Sequence, residues 1–335
     1  VYKRQLLMLL QMIKWENYLM LTPIEKYDNI YYKRDDLFAP YGDVNGGKMR
    51  QTIALFEKYK DRIKNEHNNG VIQSVSVHSP TASVISRVAK EFGFKSIFAV
   101  GGTKPETLQK RHIMHLAQYY GGEIRIVAGH GINSVLAKRT KDIIEKEKYF
   151  YTSFDKWIME EPELMLETNG EQVQNLPDEI DNLVMSCGVG IQMSAVMYGL
   201  KKYNKKVKRV IGVGVGPDRT KNIRSYFGIE QNDYPFEFHT PKTSYSTPLK
   251  TEITNPNYTD SEEYYPKEKS FMLDDLYEAK AHKWMTENIN IYEGTNVFWC
   301  VGRRLNQSEV HEITGGIQWS MIWQHFLKMV FIQVM

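Results

Sequence analysis

The sequence predicts an α/β chain with mostly parallel sheets, organised as two domains. Three observations carry this reading. Short β-branched runs alternate with helical patterns, glycines mark the joints between them, and the alternation occurs as two separate series.

The first series begins after Thr22 and Pro23, where "NIYYKRDDLF" reads as a short strand with charges at its end. Residues 48–65 place Ile53, Leu55, Phe56, Tyr59 and Ile63 near helical spacing and predict a helix. "GVIQSVSV" (70–77) is a strand that stops at "HSPTAS", and "ASVISRVAKEFGF" is a helix closed by Gly93. "KSIFAVGG" predicts a strand, "KPETLQKRHIMHLAQYYGG" one helix, "EIRIVAG" a strand and "NSVLAKRTKDIIEKEK" a helix. In the second series "NLVMSCGVG" (182–190) is a buried strand ending in glycines, and "IQMSAVMYGLKKYN" a helix. "VKRVIGVGVG" (207–216) is another strand. Residues 230–270 read as loop with short strands, "LDDLYEAKAHKWMTEN" as a helix and "NVFWCVGRR" as a final strand. Two such series suggest a cleft between two domains, where ligands usually sit.

Composition narrows the class. The chain has 335 residues, 42% hydrophobic and 25% charged, with a net charge of +3. This is ordinary for a globular protein and argues for neither a nucleic-acid coat nor a strongly acidic partner. Two lone cysteines, Cys187 and Cys300, suggest a reducing, cytoplasmic setting, and neither sits at metal-ligand spacing. His115 and His130 are too far apart in sequence to read as a metal site, so no metal is expected. The apolar run 6–13 resembles a weak signal peptide, but Gln11 interrupts it, no cleavage site follows, and it is too short to span a bilayer. The chain starts at Val1 rather than methionine, as a fragment would. The stretch 315–335 reads as a helix that packs on another surface, of this chain or another, rather than a membrane anchor, because polar residues interrupt it.

Three stretches could carry chemistry. In "SCGVGIQMSAV" a strand runs through Gly188 and Gly190 into a helix, which is either an ordinary turn or an anion site built from free amides and the helix dipole. In "NGGKMRQ" Lys48 follows two glycines at a helix start. It is either a solvated surface lysine or an amine freed for Schiff-base chemistry by the dipole and burial. In "LDDLYEAKAHKW" Tyr277 and Glu278 open a helix, where acidic residues are favourable in any case.

Together with "YYKRDDLFAPYGDVNGGKMRQ" and "VHSPTASVISRVAKEFG", these stretches occur in the order seen in fold-type II pyridoxal-phosphate enzymes. From about Thr22 to Arg303 the chain resembles the 1-aminocyclopropane-1-carboxylate deaminase and D-cysteine desulfhydrase group, as a divergent member for which a bacteriophage-type lineage is one reading. The resemblance implies a tryptophan-synthase-β-like fold of two three-layer domains with the cofactor in the cleft between them. Laid on this chain, it sets 22–55 with 165–305 as the larger cofactor domain and 56–164 as the smaller substrate-side domain. Residues 1–21 and 306–335 are left as extensions. It implies pyridoxal 5'-phosphate held by Lys48, by Asn45, by the loop of Gly188, Val189, Gly190, Ile191 and Gln192, and by Glu278 facing the pyridine nitrogen. Lys48 would also move the substrate proton, Tyr277 would stand near the reacting atoms, and Ser79 and Thr81 would meet the substrate. His78 is a further acid/base candidate. The pattern also departs from the family. Pro80 stands where an asparagine is usual, Thr81 where glutamine is common, and the phosphate loop lacks its usual hydroxyls.

The expected activity is therefore lyase- or deaminase-type chemistry on an amino acid or related amine, with a homodimer implied by the resemblance. One alternative substrate is an amino-acid-modified nucleobase of phage DNA. Another alternative is a cofactor-binding homologue without turnover. The basic run 201–209 reads as a solvated helix end, which leaves a nucleic-acid contact unsupported but open. A nicotinamide dehydrogenase is disfavoured, because the glycine spacing in "VIGVGVGPDR" is wrong and no acidic ribose partner follows.

Overall fold

The structure is a computed structural model that describes residues 20–108, 110–214, 217–227, 235–241, 247–255 and 268–315. The apolar run 6–13 and nearly all of the expected terminal helix lie outside the described residues. The chain starts with β1 (Ile24–Tyr27), β2 (Ile30–Arg34), α1 (Gly47–Glu66), β3 (Gly70–Ser74), α2 (Thr81–Phe92) and β4 (Lys95–Gly101). It continues through α3 (Pro105–Leu108), α4 (His112–Tyr119), β5 (Gly122–Ala128), α5 (Asn133–Glu147), β6 (Phe150–Tyr151), α6 (Phe154–Glu160) and α7 (Pro162–Gly170). Next come β7 (Glu179–Cys187), α8 (Ile191–Lys202), β8 (Lys206–Gly214), α9 (Thr220–Phe227) and β9 (Phe236–His239). The last elements are β10 (Glu252–Thr254), β11 (Ser270–Met272), α10 (Glu278–Asn288), β12 (Asn296–Cys300) and α11 (Gln307–Ile313).

The chain divides into two compact units. One takes the described residues up to Leu55 together with Phe154–Arg303; the other takes Phe56–Ser153 with the described residues from Arg304 on.

The first unit holds a six-stranded sheet in the order β1-β2-β12-β7-β8-β9. All its pairings are parallel except that of β1 with β2. The period of two along each strand explains its two cores. Leu183, Met185 and Cys187 of β7 pack with Met193, Val196, Met197 and Leu200 of α8. Val184, between them in sequence, packs on the other face with Ala279, Ala281 and Met285 of α10. Val297 and Trp299 of β12 likewise join the first core while Phe298 and Cys300 join the second. A strand covered by helices on both faces needs apolar residues on both, which is why Leu183, Val184 and Met185 of β7 follow one another without a polar break. This gives helix, sheet and helix layers. A separate antiparallel pair joins β10 and β11.

The second unit holds a parallel sheet in the order β5-β4-β3-β6. Helix α2 ends where the sequence predicts, at Gly93 with φ +71°. The single helix expected over 104–120 is instead two. Arg111 takes an extended conformation (φ −96°, ψ 94°) and restarts the chain as α4. Leu108, Ile113, Met114 and Leu116 on either side of the break are all buried, so packing and not local propensity sets the interruption. Helices α6 and α7 and the edge strand β1 are additions that the periodicity did not reveal.

Candidate active site

Lys48 is the second residue of α1 and is half-buried. The two glycines before it are demanded by backbone contacts. Gly46 has φ +92°, and a Cβ there would lie 2.5 Å from the Val301 carbonyl oxygen and 2.7 Å from Gly302 Cα. Gly47 donates its N–H to the Val301 oxygen at 3.1 Å. A Cβ on Gly47 would meet the amide of Gln192, Asn169 Nδ2 at 2.8 Å and Asp35 Oδ2 at 3.0 Å.

The turn 301–303 ties this helix start to two other predicted residues. Asn45 Oδ1 accepts the Arg303 N–H at 2.8 Å. Glu278 Oε1 accepts the Gly302 N–H at 3.0 Å, and its Oε2 accepts the Asp274 N–H at 3.1 Å. Glu278 opens α10 and is 1% exposed. Burial pushes its pKa up to about 8, and the nearby Asp274 and Asp36 charges add to the rise. Tyr277 is the half-buried cap of the same helix and donates its N–H to Asp274 Oδ1 at 2.8 Å.

The glycine turn follows β7. Gly188 and Val189 are exposed, and a Cβ on Gly188 would meet nothing within 4 Å. Gly190, at φ +99°, caps α8, with the Ile223 side chain where its Cβ would project. Ile191 begins the helix and is buried; Gln192 reaches back to Gly47. Thus Asn45, Lys48, Gln192, Tyr277 and Glu278 gather around two short turns of the first unit.

Residues of the "KRDD" run are scaffold for this site. Arg34 pairs with Glu25 and forks onto Asp36. Lys33 donates to the Thr22 oxygen and to Asn175 Oδ1. Asp35 accepts from Arg50, whose Nη1 also donates to Asn169 Oδ1 at 3.0 Å and whose guanidinium lies 4.1 Å over the Phe38 ring. Asn169 was missed in the sequence, since a polar residue in α7 carries no local signal; its buried Nδ2, which faces Gly47, has no hydrogen-bond partner among the described residues.

The second unit holds the other predicted residues together. Ser79 Oγ accepts the Thr81 N–H at 3.3 Å and lies 2.8 Å from Thr81 Oγ1 at the start of α2. Pro80 caps that helix with φ −69°. His78 is half-buried; burial lowers its pKa, and Arg111 and Arg304 reinforce the shift. Arg304 Nη1 donates to the His78 carbonyl oxygen at 3.2 Å.

The basic run is neutralised locally. Lys202 pairs with Glu167 and Glu171, Lys205 with Asp178, Lys206 with Glu179, Lys208 with Asp181 and Arg209 with Glu237. Lys201 alone of the run's cations has no ion pair among the described residues. Among the described residues no three His, Cys, Asp or Glu side chains cluster as a metal site, and no helix is long and apolar enough to cross a membrane.

Solved structures share this architecture. An ACC deaminase homologue superposes with a TM-score of 0.61 at 20% identity, covering 84% of this chain and 89% of that one. Threonine deaminase isoform 2 from Solanum lycopersicum gives 0.57 at 14% identity, covering 90% of each chain. The chain has the fold-type II fold of pyridoxal-phosphate enzymes. The pyridoxal-phosphate dependence read from the sequence is matched by a curated relative, the O-seryl-dTMP PLP-dependent decarboxylase of Salmonella phage ViI. It is 30% identical over 240 residues, 65% of this chain. This fold-type II chain spans 56% of that relative's length. No protein-family model matches it.

Proposed function

We propose that this chain is a pyridoxal-phosphate-dependent enzyme of lyase or deaminase type, acting on an amino acid or related amine, with Lys48 as the covalent anchor. One observation carries the reading: the turn 301–303 holds the Lys48 helix start through Asn45 and Gly47 and holds the buried Glu278 through Gly302. The residues fit the cofactor. An amine, a buried carboxyl group and an exposed glycine turn ahead of a helix are what its aldehyde, ring nitrogen and phosphate require. When bound, pyridoxal phosphate supplies a carbonyl for the incoming amine and an electron sink for the bond that breaks.

In this reading Lys48 holds the cofactor and then moves a proton at the substrate carbon. Glu278 orients the ring nitrogen. Gly188, Val189, Gly190, Ile191 and Gln192 receive the phosphate, and Asn45 fixes the Lys48 turn. Tyr277 exchanges a proton near the reacting atoms. Ser79 and Thr81 offer hydroxyls to the substrate, and His78, held neutral by burial, is an acceptor for a proton. Purified protein mixed with the cofactor should gain the visible band of a lysine-bound pyridoxal, and borohydride should fix the label on the Lys48 peptide. Absence of both would sink the proposal, and a Lys48→Ala variant that kept the band would displace Lys48.

A second reading concerns the substrate. The phage relative is a decarboxylase named for a seryl adduct of dTMP, which favours an amino-acid-modified nucleobase losing carbon dioxide. Assaying carbon dioxide against ammonia release from free serine and from seryl-nucleotide separates the two.

A further inference from the structure

We infer that Arg219 supplies a cationic contact to the phosphate group received by the Gly188–Gly190 turn. The inference rests on the cofactor reading above and adds a residue to it.

The argument begins with strand register. β7 and β8 are parallel neighbours, and their last residues, Cys187 and Gly214, are paired. The C-terminal ends of these strands therefore lie side by side. One runs into the glycine turn that enters α8. The other leads to Arg219, immediately before α9.

Contacts between those segments are specific. Ile223 fills the space beside Gly190. Ser194 Oγ lies 2.9 Å from the Gly190 oxygen and 3.2 Å from the Ile223 oxygen, so it can donate to either. The Ile223 N–H donates to the Arg219 oxygen at 2.9 Å, which places Arg219 one helical turn before the residue that touches Gly190. The charge of Arg219 reaches the end of β7. Burial pushes the Cys187 thiol up to about 12, and Arg219 opposes that rise. Cys187 directly precedes the glycine turn.

Among the described residues the guanidinium has no ion-pair partner. Its neighbour Asp218 accepts the Thr220 N–H at 2.7 Å and the Thr220 hydroxyl at 2.6 Å. Asp155, the acid that contacts α9, accepts from Tyr226 at 3.2 Å. Among the described residues no carboxylate forms an ion pair with Arg219. The turn itself offers amides and apolar side chains, Val189 and Ile191, with Gln192 turned toward Gly47. A phosphate dianion there lacks a side-chain countercharge, and an arginine fork is the group that matches it.

The test compares pyridoxal 5'-phosphate with pyridoxal on the cofactor-free protein, by fluorescence titration. Wild type should bind the phosphorylated form far more tightly. Arg219→Gln should weaken that form by about tenfold or more, the effect of losing one charge-assisted contact, and leave pyridoxal within about twofold. Arg219→Lys should recover most of the loss, and unchanged pyridoxal binding reports that the fold is intact. An Arg219→Gln variant that keeps the wild-type preference overturns the inference and leaves the cofactor reading standing. A wild type that binds neither compound removes both.

Discussion

Arg50 and Asp35 form a two-point ion pair, Nη2 to Oδ1 at 2.7 Å and Nη1 to Oδ2 at 3.2 Å, with both side chains almost wholly buried. The pair joins the end of β2 to the first turn of α1, beside Gly47. Arg50→Met would leave the Asp35 charge buried without its partner. Loss of one member of such a pair costs about 3–5 kcal/mol. Urea denaturation of the cofactor-free protein should show that loss, and cofactor uptake should fall with it. A variant of wild-type stability would mean that the pair does not hold the helix start.

Gly46→Ala should damage the site from the backbone outward. Its φ of +92° is unfavourable for alanine, and the new methyl group would press on Val301 and Gly302 backbone atoms that have no rotamer to escape into. The conformational strain alone is about 1–3 kcal/mol. The expected result is a lower melting temperature together with loss of the lysine-bound cofactor band. A band of normal intensity would contradict the close approach of the two turns.

Glu278 gives a pH dependence of unusual sign. Its folded pKa of about 8 lies above the ordinary 4.5, so between these values the folded protein keeps a proton that the unfolded chain has lost. Stability from this group therefore falls as pH rises from 4.5 to about 8, and is level on either side. Glu278→Gln should flatten that slope in denaturation midpoints measured on the cofactor-free protein. An unchanged slope would locate the effect elsewhere.

His282 has the opposite dependence. Its Nε2 lies 2.8 Å from the Tyr32 hydroxyl, and burial lowers its pKa from 6.5 to about 4. The folded state resists the proton that the unfolded chain accepts, so stability is lost as pH falls from 6.5 toward 4. An NMR titration of the imidazole tests this directly. A midpoint near the ordinary histidine value would show that water reaches the ring.

The parallel strands were legible in the sequence because their covering on both faces demands continuous apolar runs such as Leu183–Met185. The Lys48 turn was legible because its glycines are forced by contact. Partners supplied from far along the chain were not. Gln192 and Asn169 meet Gly47 through tertiary packing, and nothing beside "NGGKMRQ" announces them. The break at Arg111 was hidden for a related reason. No glycine or proline marks it, and the apolar pattern runs straight through.

The run Lys33–Asp36, with Arg50, carries part of the resemblance to a catalytic lineage, yet its charges are taken up by contacts within the scaffold. Ancestry and competence are therefore written in different residues. If Lys48 anchors the cofactor as proposed, a descendant that exchanged it for another side chain would keep this scaffold while losing that chemistry.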